Sequence, residues 1–160
     1  PIPSRGLGDV YKRQCEDGQD KEARWNMMMA STEGAMAFSK GLGAVHSMSH
    51  ALGANQELRL HHGTLNAVIL PSVLRFNQNH VENKYTRIAS AMGDKVTTDL
   101  ANEIEKLNEK IGMPASLSEM GVTEDMIPQL VAHAATDPSN LTTPRLPSIE
   151  EWEKLFLEAM

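Results

Sequence analysis

Where apolar positions recur regularly along the 160 residues, they do so with a helical period. Leu100, Ile104, Leu107 and Ile111 recur at i, i+4, i+7 and i+11, with Glu103, Glu105, Lys106, Glu109 and Lys110 between them. That spacing predicts an amphipathic helix over Thr97–Ile111. Upstream, Asp20 caps a helix over Lys21–Ser39, with Glu22 in the first turn where the helix dipole favours a carboxylate. Ala30, Gly34 and Ala37 form a stripe of small residues on it, which predicts close packing against another helix. Gly41-Leu42-Gly43 breaks that helix and starts the next, Ala44–Leu52, with Gly53 as C-cap. Ala54–Leu60 reads as a polar loop. The helix over Gly63–Gln78 is apolar nearly all round in its first half, as a buried central helix is. Pro71 inside it lacks an N–H and clashes with the carbonyl of Ala67, which predicts a kink. Lys84–Met92 reads as a short helix. Thr123, followed by two acids, opens a helix reaching Ala135. Asp137–Pro147 is a loop with three prolines. Ser148 caps a last helix ending near Ala159. No run alternates with period two and no segment repeats. The chain reads as all-α, with about seven or eight helices.

Composition sharpens this picture. Apolar residues are 41% of the chain, aromatics only 4%, and there are ten methionines. A core of Ala, Leu, Ile, Val and Met suits helix-on-helix packing. The net charge is −6, and the fifteen Lys and Arg are scattered, which argues against nucleic acid as a partner. Cys15 is the single cysteine, so no disulfide forms within the chain, which fits a reducing, cytoplasmic setting. No apolar run reaches the roughly 18 residues of a membrane span, and no basic stretch followed by an apolar one appears, so secretion is not expected. Residues 1–14 lack the helical period and resemble a vector- or adapter-derived translation. They are expected to be a non-native, disordered leader.

The chemistry gathers in the histidines. Four of six fall in one stretch: His46, His50, His61 and His62. His46 and His50 share one helix face, one turn apart. They could be metal ligands, a ligand and a catalytic group, or buried hydrogen-bonding residues. A zincin is disfavoured, because position 47 is Ser where that motif has Glu. The loop after Gly53 can fold a third histidine back beside the first pair. Imidazole suits zinc, iron and other divalent first-row metals, but a catalytic metal usually keeps three or more protein ligands. Glu57 is the only carboxylate between His46 and His62. His80 and His133 are isolated and read as solvent-facing, and Met27, Met28, Met29 and Met36 as core filling or a flexible interface. Gly41-x-Gly43 lacks the preceding strand and third glycine of a phosphate-binding loop.

Gly41-Leu42-Gly43-Ala44-Val45-His46-Ser47-Met48-Ser49-His50-Ala51-Leu52-Gly53, with His62-Gly63-Thr64-Leu65-Asn66 through Phe76-Asn77, resembles the iron-containing (group III) alcohol dehydrogenases. So do the Asp17-Gly18 lead-in and the tail with Asp137-Pro138 and Thr143-Pro144-Arg145. The resemblance covers Cys15 to Met160. It implies that residues 15–160 are the C-terminal, all-helical, metal-binding domain of a dehydroquinate synthase-like fold whose N-terminal nucleotide-binding domain lies elsewhere. It implies interconversion of small alcohols and aldehydes or ketones with NAD or NADP and Fe2+ or Zn2+, in a homo-oligomeric parent. It assigns two metal ligands, His46 and His62, and places His50 near substrate and nicotinamide as a catalytic and cofactor-binding residue. The other two ligands, an Asp-x3-His, have no counterpart upstream of His46, so the chain alone is expected to be inactive. Two departures stand out: the loop before His62 is longer than in many members, and His61 stands where Pro is frequent, making it a competitor to His62. The alternatives are a metal-independent reductase of the maleylacetate reductase kind and a non-catalytic helical binding module.

Overall fold

The computed structural model describes residues 13, 15–81, 83–92 and 99–160. Among them are seven α-helices and no strand: α1 (Lys21–Ala37), α2 (Ala44–Gly53), α3 (His62–Asn77), α4 (Lys84–Ala91), α5 (Leu100–Lys110), α6 (Ile127–Thr136) and α7 (Ile149–Ala159). Short 3-10 turns follow α1 and α3, precede α6 and span Pro138–Thr142. The all-α expectation holds. Most of the leader, and Thr97 and Thr98, lie outside the described residues.

Two compact units divide the chain: residues 1–40 with 82–100, and residues 41–81 with 101–160. In the second, α2 packs on α3 and α6, and both of those pack on α7. Met48 and Leu52 of α2, Leu65 and Ile69 of α3, Leu130 and Ala134 of α6, and Trp152 and Phe156 of α7 are all buried. Here the apolar sequence pattern becomes a core with few aromatic rings. Local chemistry fixes the ends of the helices. Ser148 and Glu151 form a reciprocal capping box at the start of α7. Gly53 is the last residue of α2 and Ala54 is its C-cap, one residue beyond the sequence reading.

α3 runs unbroken through Pro71. Proline cannot donate to the carbonyl of Ala67, and Asn108 of α5 does so instead, Nδ2 to oxygen at 2.7 Å. The start of α2 is fixed from outside it. Gly41 has φ +100°, and a Cβ there would collide with the Thr142 side chain. Thr142 in turn donates its hydroxyl to the carbonyl of Leu42.

In the first unit, Asp20 caps α1 as expected, accepting from the Ala23 N–H at 3.0 Å. The small-residue stripe does not pack as expected. Residues 31–40 are exposed, and nothing lies within 4 Å of a Cβ placed at Gly34. Nor do the methionines fill a core: Met28 and Met36 are exposed, beside Trp25 and Phe38.

Candidate metal centre

α2 and α3 bring three histidines together. His46 and His50 lie one turn apart on α2, and His62 opens α3. The ring centroids are 5.2 Å apart for His46 and His62, 5.8 Å for His46 and His50, and 5.5 Å for His50 and His62. The last pair is stacked with an interplanar angle of 16°. His61 stands apart in function. Its Nδ1 accepts the Thr64 N–H at 3.3 Å and caps α3. His80 and His133 are exposed, as the sequence suggests.

Asn66, one turn after His62, joins two of these rings. Its Nδ2 lies 3.1 Å from His62 Nε2 and 3.5 Å from His46 Nε2. Two ring nitrogens therefore come within reach of one point. The Asn66 Oδ1 is buried without a partner. On the far side of His62, Nδ1 lies 3.4 Å from the Ser49 hydroxyl. A proton on Nδ1 leaves the Nε2 lone pair for a ligand, which is the usual arrangement of a metal-binding histidine. Burial, then the charges of His62 and His50, hold the His46 pKa below its ordinary value against the opposing pull of Asp137. A neutral imidazole is the form a metal requires.

A carboxylate completes the cluster from far along the chain. Asp137, at the end of α6, places Oδ2 3.0 Å from His50 Nδ1. Burial raises its pKa, but the hydrogen bonds from Ser139 and His50 outweigh that and leave it below the ordinary carboxylate value. The sequence places no base beside the histidines, Glu57 being the only carboxylate between His46 and His62. Asp137 escaped because an Asp before Pro at a helix end has the signature of a cap, which it also is. Asn66 was visible in the His62-Gly63-x-x-Asn66 string without a role.

Among the described residues, no three His, Cys, Asp or Glu side chains form a group able to hold a metal ion. Bonds from a zinc ion to imidazole are about 2.0–2.1 Å, in shells of four or more ligands. His46 and His62 fit such a shell as two of its donors.

The model of the Fe-containing alcohol dehydrogenase family, C-terminal, matches residues 6–160. The chain belongs to the iron-containing alcohol dehydrogenase family. The chain is 42% identical to the 4-hydroxybutyrate dehydrogenase of Cupriavidus necator, over 98% of the chain and 42% of that protein. It is 35% identical to the 1,3-propanediol dehydrogenase of Klebsiella pneumoniae, over 89% of the chain and 38% of that protein. A solved 1,3-propanediol oxidoreductase superposes with a TM-score of 0.88 at 30% identity, covering 96% of the chain and 44% of its own. The chain thus spans about two fifths of the length of these relatives. No helix among its described residues is long and apolar enough to cross a membrane.

Proposed function

We propose that this chain is the metal-holding helical part of an NAD(P)-dependent alcohol dehydrogenase that interconverts small primary alcohols and aldehydes by hydride transfer. The convergence of His46 and His62 Nε2 on one amide carries the reading. His46 and His62 are the two metal ligands supplied from this chain, and His61, engaged with Thr64, is not a third. A divalent ion held there, Fe2+ in preference to Zn2+, supplies Lewis acidity toward the substrate oxygen. A nicotinamide nucleotide, bound mainly by residues outside this chain, would supply the hydride donor or acceptor. Ser49 orients the His62 ring from behind, and the Asn66 amide marks the point on which the two ligand nitrogens converge. His50 lies against both and handles the substrate proton at Nε2. The names of the relatives, for 4-hydroxybutyrate and 1,3-propanediol, favour a short alcohol with a second polar end. A cytoplasmic homo-oligomer fits the lone cysteine and the family.

The test is NAD(P)-linked oxidation of C3 and C4 hydroxy acids and diols by a full-length protein carrying this chain, reconstituted with Fe2+. Turnover that requires the metal supports the proposal. Equal turnover after chelation would instead support the metal-independent reductase, and no turnover of any alcohol would support the binding module.

A further inference from the structure

Asp137 reaches His50 across 87 positions of sequence, and the structure holds it there from both sides. It closes α6 and opens the Pro138–Thr142 turn. Its Oδ1 accepts the Ser139 N–H at 2.8 Å, which leaves Oδ2 for His50. The turn is tied to both helices. Buried Asn140 donates its amide to the Ala134 carbonyl of α6 at 2.6 Å and accepts from Ser47 of α2 at 2.6 Å. Ser47 lies between His46 and His50, so the segment carrying the carboxylate is bonded to the helix carrying the histidine.

An ionised carboxylate only accepts hydrogen bonds, so the proton between Asp137 and His50 belongs to His50 Nδ1. In the neutral imidazole so oriented, Nε2 carries the lone pair. We propose that Asp137 is a positioning residue, which locks His50 as the Nδ1–H tautomer and so presents Nε2 as the acceptor for the substrate hydroxyl proton. This rests on the reading of His50 as the group that handles that proton. In alcohol oxidation the O–H proton would pass to Nε2, and a bound oxidised nicotinamide nucleotide would supply the acceptor for the hydride that leaves as the carbonyl forms. Asp137 stays ionised and stabilises the imidazolium through Nδ1. Reduction reverses each transfer.

The geometry specifies the variant. In Asp137→Asn, the Ser139 N–H keeps the amide oxygen as its acceptor, which turns the amide NH2 toward His50 Nδ1. His50 must then accept at Nδ1 and carry its proton on Nε2, while the cap stays intact. Two-bond 1H–15N correlation spectra of the histidine-labelled 160-residue chain read this directly. Expected are Nδ1–H at His50 in the wild type and in Asp137→Glu, and Nε2–H in Asp137→Asn. A wild-type proton on Nε2, or a tautomer unchanged in Asp137→Asn, overturns the proposal. The wild-type spectrum decides alone should the variant fail to fold. In the full-length enzyme, kcat of Asp137→Asn is expected to fall about 100-fold or more, with KM within a few-fold and Asp137→Glu recovering part of the loss. A tautomer that switches while kcat holds would leave Asp137 in its role and remove His50 from proton transfer.

Discussion

Three adjacent-looking histidines acquire different duties from what touches them. His62 has Ser49 on Nδ1 and Asn66 on Nε2, His50 has Asp137, and His61 has the N–H and hydroxyl of Thr64 at its own helix start. The spacing of His46 and His50 puts them on one face, and the roles proposed for them come from the family resemblance. Asp137 could not be placed with them from sequence, because only the packing of α6 on α2 sets that distance. Gly41 is the residue whose identity the backbone most constrains. Its φ of +100° suits glycine, and any Cβ meets the Thr142 side chain that anchors the turn after Asp137. Gly41→Ala is expected to lose at least the 1–3 kcal/mol of such backbone strain, read as a lower midpoint in urea unfolding. An unchanged midpoint would contradict the clash.

Among the elements, α3 shows how a sequence defect is absorbed by a neighbour. Pro71 leaves the Ala67 carbonyl without its helical donor, and Asn108 from α5 fills the gap. Asn108→Ala should therefore cost about 1–3 kcal/mol, the cost of an orphaned acceptor. In a Pro71→Ala background the restored N–H serves Ala67 and the same substitution should cost less. Equal costs in the two backgrounds would show that Asn108 acts elsewhere. The helix itself was legible from its apolar run, and α5 and α7 from their period and caps. What was not legible was the surface of α1. The stripe of Ala30, Gly34 and Ala37 has the spacing of a packed face, yet residues 31–40 are exposed. Periodicity reveals which residues share a face, and only tertiary structure reveals what that face meets.

At the scale of the whole molecule, acid should act in two stages. The His46 pKa is depressed below its ordinary 6.5, so the unfolded chain takes up a proton first, and stability declines as pH falls from about 6.5 through the folded value. The Asp137 pKa is depressed below 3.8, so the stability it contributes is complete above that pH and is lost below it. Unfolding free energies measured from pH 8 to pH 3 should show the first decline in the wild type and lack its His46 share in His46→Ala. A wild-type profile flat across pH 6.5 to 5 would contradict it. The same incompleteness that leaves two donors facing one amide predicts that the 160-residue chain has no NAD(P)-linked alcohol oxidation of its own, and measurable turnover would refute that. As proposed, this chain supplies two metal ligands, His46 and His62. Metal content of a full-length protein carrying it, measured by elemental analysis beside His46→Ala, His62→Ala and His61→Ala, tests this most directly. Loss of bound metal in the first two variants and retention in the third is the expected result; full metal retained in either of the first two, or lost in His61→Ala, would contradict it.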